Sequence, residues 1–349
     1  MTIRTLQVIP CDPEANSHIY AKRQIASLQK AGIVVKTFFF TSRTSPRLLI
    51  KEWLRLRREV QSFKPHIVHA QYGTITGFLC AFGIGVPLVV TFWGSDLNPV
   101  PSINRLKAGL GQFLSQLAAL RASHIICVNK QMITRLWWGK GRATTISGGV
   151  DLTLFSPRSR DEARSALGWT FTDRIVLFNA GRFPKVKRLD LAEAAVEVAK
   201  TLCENLRLVV LRGDVTPESV PLFLNAADCL LVTSDWEGSP NIVKEALACD
   251  LPIVSVDVGD VSERLEKVSA SKIVSRGPCK LGEAIVEILA LNCRSNGREA
   301  VQNLSGEKEA ERVRTIYEGI IHGGYGRQFR LSTSVAHPTS EGRRPTHEA

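Results

Sequence analysis

The chain has 349 residues, 45 Lys+Arg against 33 Asp+Glu, a formal net charge of +12 and an apolar fraction of 44%. This length fits two domains, and the apolar content is enough for real cores, which excludes a generally disordered chain. The charge is one-sided: residues 1–156 balance to +13 and residues 157–349 to −1. A basic half beside a neutral half predicts an anionic partner for one lobe only, whether nucleic acid, an acidic membrane surface or a phosphorylated substrate.

No apolar run reaches the roughly 18 residues of a membrane span. The longest candidate, Gly77–Val90, is broken by Gly83, Gly85 and Pro87 and reads as a buried strand with its flanks. The N-terminus lacks the apolar core and the small-residue cleavage site of a signal peptide. The eight cysteines are widely spaced with no CxxC, and most sit in apolar contexts such as Ile126-Cys127-Val128. That is the pattern of buried free thiols in a reducing compartment. His66 and His69 flank an apolar pair and read as structural, so no metal site is predicted.

Strand-like runs alternate with helix-period segments along the chain. Strands are predicted at Leu6–Pro10, Ile33–Phe40, Ile67–Ala70, Leu88–Thr91, His124–Val128 and Ala143–Ile146. Helices are predicted between them at Asn16–Lys30, Pro46–Phe63, Ile75–Phe82, Ile103–Leu120 and Gln131–Trp138. Ser156–Asp161 reads as a linker, after which the alternation restarts. The second set of strands is Arg174–Asn179, Leu206–Leu211, Cys229–Thr233 and Pro252–Val256. Its helices are Leu189–Thr201, Glu218–Ala226, Pro240–Ala248, Lys280–Leu291 and Lys308–Ile321. Two such runs imply two doubly wound α/β domains, with ligands beyond the carboxyl ends of parallel strands.

A dinucleotide fingerprint would place glycines after the first strand, but Cys11–His18 contains none, and no Walker A motif occurs. The second half is more informative. Gly181 follows a strand, and Arg182, Lys185, Lys187 and Arg188 then precede a helix, equipment suited to a diphosphate. Charge alone favours a solvated basic loop, since charged surface loops are ordinary. Further on, Ser234-Asp235-Trp236-Glu237-Gly238-Ser239-Pro240-Asn241-Ile242 follows another strand and opens a helix containing Glu245. Ser239 is predicted to cap that helix with Pro240 at its first position. The amides of Asn241 and Ile242 can face an anion, and the Glu245 carboxylate can accept from a ribose diol.

These segments together resemble glycosyltransferase family 4, retaining enzymes of the GT-B fold. The resemblance rests on Ile67-Val68-His69-Ala70-Gln71-Tyr72, Pro87–Asp96 with Trp93-Gly94-Ser95-Asp96, Gly148-Gly149-Val150-Asp151 with Phe155, Gly181-Arg182 with Lys187, Glu237-x7-Glu245, and Val258-Gly259-Asp260 with Glu263. It runs over about 320 residues. It implies an N-terminal Rossmann-like acceptor domain over 1–155 and a donor domain over 156–305. A C-terminal helix over 306–330 would return toward the first domain, and 331–349 would be a disordered tail. It implies transfer of a sugar from a nucleoside-diphosphate sugar to a carbohydrate or lipid-linked acceptor, in bacterial surface polysaccharide or glycolipid synthesis. The donor is a co-substrate, and neither cofactor nor metal is implied.

By the same resemblance, Arg182 and Lys187 would hold the diphosphate and offset charge on the leaving group. Glu237 would contact the transferred sugar near the reacting carbon, and Glu245 the ribose. Gly181, Ser239, Pro240, Asn241 and Ile242 would form the sugar and phosphate loops, with Trp93, Gly94, Asp96 and His18 on the acceptor side. Three features depart from the family pattern. Glu14-Ala15-Asn16-Ser17-His18 stands where a Gly-Gly pair is usual, Trp93 where His is frequent, and the stretch between Leu211 and Val220 is short by about one βα unit.

A different class of reading is a non-catalytic partner in a polysaccharide assembly complex, which retention of Arg182, Lys187, Glu237 and Glu245 opposes. No nucleic-acid motif is present. Arg43–Lys64 interleaves seven cations with apolar residues, either as an amphipathic helix on anionic lipid or as a surface helix packed on its sheet. Residues 101–142 add seven cations and no acid. The expected location is cytoplasmic, peripheral on the inner face of the membrane.

Overall fold

The computed structural model describes residues 1–13, 17–41, 45–98, 104–181 and 183–323. Glu14, Ala15, Asn16, Arg43, Arg182 and the tail 331–349 lie outside the described residues, as does the end of the 306–330 segment.

The first sheet contains β1 (Arg4–Ile9), β2 (Val34–Phe39), β3 (Ile67–Ala70), β4 (Leu88–Phe92), β5 (His124–Cys127) and β6 (Ala143–Thr145). All pair in parallel in the order β2-β1-β3-β4-β5-β6. Its helices are α1 (Ile19–Lys30), α2 (Pro46–Phe63), α3 (Thr74–Ala81), α4 (Arg105–Arg121) and the short α5 (Lys130–Thr134).

The pleat of the strands decides which helices lie on which face. Ile67, Val89 and Ile126 point to one face, where they meet Leu28 of α1 and Val313, Ile316 and Tyr317 of the C-terminal helix. Their neighbours Val68, Val90 and Ile125 point to the other, onto Leu56 and Val60 of α2, Cys80 of α3 and Ala118 of α4. The near-continuous apolar runs of these strands therefore reflect a sheet covered on both faces.

The second sheet contains β7 (Arg174–Asn179), β8 (Leu206–Leu211), β9 (Cys229–Val232), β10 (Ile253–Ser255) and β11 (Lys272–Ile273), in the order β11-β10-β9-β7-β8. Its strands are also parallel. Helices α6 (Arg160–Leu167), α7 (Pro184–Lys187), α8 (Leu189–Lys200), α9 (Val220–Ala226), α10 (Asn241–Ala248), α11 (Val261–Leu265), α12 (Pro278–Leu291) and α13 (Gly297–Val301) surround it. Helix α14 (Gly306–Ile321) follows, and its apolar stripe packs on the first sheet. β8 is an edge strand joined to α9 by residues 212–219.

Two expectations change. The stretch 156–161 is not all linker: Ser159 caps α6, its hydroxyl accepting from the Glu162 N–H at 3.3 Å. Buried Arg164 then pairs with Asp228 at 2.7 Å, fastening α6 to the second domain. The helix expected over 131–138 stops at Thr134. The Gln116 side chain accepts from the Trp137 N–H at 2.9 Å and donates to the Arg135 carbonyl at 3.0 Å, which pulls this segment off the helical path.

A buried polar chain ties α14 to the first domain. The Tyr317 hydroxyl meets Nδ1 of His69 at 2.6 Å and accepts from Gln7 at 3.0 Å; Gln71 donates to Gln7 and Gln24, and Gln24 donates to Glu309 at 2.7 Å. Burial lowers His69 to about 3 and His124 to about 4, so both are neutral in the folded protein. An exposed histidine in the unfolded chain titrates near 6.5, so protons bind the unfolded state first. The stability contributed by neutral burial is therefore complete above about pH 6.5 and is lost as pH falls toward 4. Asp96, pushed up to about 6 by burial, acts in the opposite sense, so a variant comparison isolates the histidine. Between pH 7 and 5 the urea-unfolding free energy of His124→Asn should fall by up to about 2 kcal/mol less than that of the wild type. Parallel losses would contradict neutral burial.

Candidate active site

In each sheet the strand order reverses at one point, between β1 and β3 and between β7 and β9, and the crevice beyond such a point is where open α/β sheets bind ligands. The two crevices face each other across a cavity of about 500 Å3. The first domain contributes Tyr20, Tyr72, Trp93 and Ser95, and the second contributes Asn179, Lys187 and the loop Trp236–Ile242.

The basic loop after β7 turns at Gly181, whose φ of +50° suits glycine and whose N–H is accepted by the Asn179 side chain at 3.1 Å. Pro184 then starts α7, placing Lys187 at its end. Thr233 donates its hydroxyl to the carbonyls of Lys187 and Arg188, and the Asp235 N–H donates to Val186, so this loop is joined to the one after β9. Arg276 braces the second loop through the carbonyls of Thr233 and Ser234. Glu237 is half-buried between them, accepting from Lys187 and from the Ser234 hydroxyl at 2.8 Å.

Ser239 does not cap α10, contrary to the sequence expectation. Pro240 is the N-cap residue, and the Ser239 hydroxyl donates to buried Asp260 at 2.9 Å. Asp260 also accepts from Arg264 at 2.8 Å, and this fixed carboxylate outcompetes the helix end for the hydroxyl. The first amides of α10, those of Asn241 and Ile242, have no partner within the helix and adjoin the cavity.

Glu245 lies one turn further along α10, on a smaller cavity of about 190 Å3 bounded by Leu211, Gly213 and Val220. Arg23 of α1 pairs with its carboxylate at 2.8 Å across the cleft. Arg23 is a site residue that the sequence reading missed. Only the i, i+4 spacing of Ile19 and Arg23 on one face of α1 carries any signal of it, and that spacing does not identify a partner in another domain.

On the opposite wall Asp96 does not face the cavity. It is fully buried and accepts from the N–H groups of Gly73, Trp93 and Gly94 at 2.9–3.1 Å. It thereby sets the loops that carry Tyr72, Trp93 and Ser95. Gly94, at φ +145°, sits 3.6 Å from the Gly238 backbone as judged at its Cβ position. His18 is left-handed at the start of α1, and its Nδ1 meets the Tyr20 hydroxyl at 2.7 Å. Trp93 packs on Tyr20 with centroids 4.2 Å apart. The indole N–H groups of Trp93 and Trp236 are buried with no hydrogen-bond partner among the described residues. Tyr20 is a further lining residue without a signal in the sequence, whereas Tyr72 and Trp236 stand in the motifs named above, each just beyond a strand end, but were assigned no role.

The two walls are locked at the back. A Cβ at Gly238 would stand 2.4 Å from the Trp93 carbonyl oxygen, so only glycine permits this approach. The Gly238 carbonyl accepts from Asn129 at 2.6 Å. Lys244, 1% exposed, donates to the Gly148 carbonyl at 2.6 Å. Burial lowers its ammonium to about 8, against the attraction of Asp260 and Glu309. Among the described residues no group of three or more His, Cys, Asp or Glu can hold a metal ion.

Two parallel sheets closed on a cavity at both switch points form a GT-B architecture. Residues 11–154 match the family described as Glycosyltransferase Family 4, and residues 174–290 match Glycosyl transferases group 1. The chain belongs to glycosyltransferase family 4. Among its relatives is TuaC of Bacillus subtilis, named as a glycosyltransferase of teichuronic acid biosynthesis. It is 28% identical over 243 residues, covering 63% of this chain and 60% of that protein. D-inositol 3-phosphate glycosyltransferase 1 of Catenulispora acidiphila is 27% identical over 311 residues, covering 75% and 74%. Sucrose-phosphate synthase from Thermosynechococcus elongatus has the same fold, with a TM-score of 0.78 at 19% identity, covering 92% of this chain and 100% of that one. Anabaena HepE, solved in complex with UDP-glucose, has a TM-score of 0.65 at 15% identity over 92% and 99%.

Removing Lys244 leaves the Gly148 carbonyl without its donor and Glu309 without a nearby buried cation. Lys244→Met should therefore cost about 3–5 kcal/mol in urea unfolding. A loss below about 1 kcal/mol would show that the joint does not depend on this ammonium.

Proposed function

We propose that the protein transfers a sugar, with retention of configuration, from a nucleoside-diphosphate sugar to a carbohydrate or lipid-linked acceptor. The observation that carries this reading is the convergence of Lys187, Glu237 and the α10 N-terminus on one cavity at both switch points. The relatives and the neighbours solved with UDP-glucose or UDP support a nucleotide-sugar donor.

In this reading Lys187 and Arg182, with the Asn241 and Ile242 amides, hold the diphosphate and offset the charge that grows as it leaves. A diphosphate competes for Lys187, which frees Glu237 to turn toward the sugar. Glu245 receives the ribose hydroxyls once Arg23 yields or shares it, and the cavity beside it takes the base. The rings of Trp93 and Trp236 line the cavity and offer apolar faces to a sugar. The acceptor hydroxyl forms the new bond to the anomeric carbon as the bond to phosphate breaks, and its proton goes to the departing diphosphate. No cofactor or metal takes part in this scheme, since two side-chain cations and helix amides carry the phosphate charge.

The proposed setting is bacterial surface polysaccharide or glycolipid synthesis, at the cytoplasmic face of the membrane. No helix among the described residues is long and apolar enough to cross a membrane. On α2, Arg47, Lys51, Arg55, Arg57 and Arg58 are exposed beside Leu48, Ile50 and Leu54, while Leu56 and Val60 are buried. The helix thus packs on its sheet through one part and offers a basic, partly apolar surface through another, which supports contact with anionic lipid through Arg43–Lys64.

Thermal-shift measurements with UDP, GDP and ADP test the donor site. A nucleotide at 100 times its dissociation constant stabilises by about 2.7 kcal/mol, and UDP is the first to try. Glu237→Ala and Arg182→Ala should keep the wild-type far-UV circular dichroism and lower transfer by about a hundredfold or more. Near-normal transfer in both would refute the site assignment. Nucleotide binding with no release of nucleoside diphosphate from any donor sugar would favour a non-catalytic partner.

A further inference from the structure

Helix α4 has two apolar faces. Ser115, Ala118 and Ala119 face inward and are buried against the first domain. The opposite face carries Leu106, Leu110, Phe113, Leu117 and Leu120 at alternating spacings of four and three residues, which align along one side of a helix. Leu106 is 84% exposed, Leu110 60%, Phe113 45% and Leu120 44%. A solvated helix normally turns charged and polar residues outward, so such a stripe marks a docking surface.

Trp137 extends this stripe. It is 60% exposed, and its ring lies 6.4 Å from Phe113 and 5.7 Å from Trp138, which is also exposed. Between Asp96 and Asp151 there is no acidic residue, while Arg105, Lys107, Arg121, Arg135 and Lys140 are exposed around the patch. The surroundings argue against a second copy of this chain, because this segment would bring cations and no carboxylate of its own to such a contact. Exposed indoles beside aliphatic residues and cations match the headgroup boundary of an anionic bilayer.

Position in the fold adds a second argument. α4 connects parallel β4 to β5, so its first turns lie at the carboxyl ends of the strands, the same side as the cleft. Midway along α4, the Ser115 hydroxyl accepts from the Thr74 N–H at 2.7 Å, and Gly111 lies against the Thr74 side chain. Thr74 is two residues from Tyr72, which lines the cavity. Leu106 therefore stands about 7.5 Å along the helix axis beyond Gly111, toward the carboxyl ends of the strands, at about 1.5 Å per residue.

We infer that the exposed α4 stripe, with Trp137 and Trp138, is the main membrane-docking surface of this protein, seating the cleft rim on an anionic lipid surface. The stripe supplies insertion and the cations supply attraction, so a lipid-linked acceptor reaches the Tyr72 wall without leaving the bilayer boundary. This deepens the lipid-linked reading above and shifts the principal anchor from α2 to α4, with α2 adding charge on the same face of the sheet.

Vesicle flotation tests it, using vesicles of about equal phosphatidylglycerol and phosphatidylcholine and vesicles of phosphatidylcholine alone. The full chain should float with the anionic vesicles and much less with the neutral ones. Leu110→Ser/Phe113→Ser should lower the partition coefficient by about tenfold or more, while Leu48→Ser/Ile50→Ser should change it by no more than about threefold. Both variants should keep the wild-type nucleotide-induced thermal shift, which reports an intact fold and donor site. Unchanged partitioning of the α4 variant, or dependence on α2 alone, would overturn the inference. So would light scattering showing a wild-type dimer that the α4 variant dissociates, since the stripe would then be a protein interface. A nucleotide shift without flotation would sink this surface and leave the transferase reading standing, whereas flotation without any nucleotide shift would do the reverse.

Discussion

The buried ammonium of Lys244 stands where the two sheets meet, and the geometry of the cleft follows from what it takes to keep a charge there. Desolvating a lysine costs several kcal/mol unless its donors are used and opposite charge is close. Here the Gly148 carbonyl accepts directly, and Asp260 and Glu309 supply the field. Each of these is tied to a different part of the chain. Gly148 belongs to the crossover between domains, Asp260 holds Ser239 and Arg264, and Glu309 belongs to α14 and accepts from Gln24 and the Gly149 N–H. A single buried charge thus couples the Ser239 loop, the crossover and the returning helix.

That coupling explains why the working side chains can be few. The walls of the cleft are positioned by buried groups that never reach the cavity: Asp96 behind Tyr72, Trp93 and Ser95, and Arg276 behind the Glu237 loop. With the backbone held this way, Lys187 and Glu237 need only a short reach to meet. The contact of Gly238 with the Trp93 carbonyl brings the two walls to van der Waals distance.

The charge distribution separates into two uses. The proposed donor side lies in the half whose net charge is −1, where local cations and helix amides would suffice for a diphosphate. The excess of +13 lies in the other half, and the structure places a large part of it on one helical layer, α2 and α4, away from α1 and α14. These cations lie on the outer layer of one lobe and do not line the cavity in the cleft.

Period and punctuation in the sequence were enough for the alternation of strands and helices, because the central strands β1, β3, β4, β5, β7, β9 and β10 are buried along their length and the longer helices carry an apolar stripe. They were also enough to place the turn at Gly181 and the start of α7 at Pro184, because glycine and proline restrict the backbone locally. Where a distant side chain intervenes, local reading fails: Gln116 ends α5 early, Asp260 takes the Ser239 hydroxyl from the helix cap, and Asp228 anchors α6 in what reads as linker. The same reason hides Arg23, whose partner Glu245 is 222 positions away. It also hides the exposed face of α4, since an i, i+3, i+4 stripe in sequence does not say whether it faces a sheet or water. Residue type and spacing set what each segment can form alone. Only the tertiary structure decides which buried charges and which apolar faces find partners, because those partners are brought together by packing across the chain and not by proximity within it.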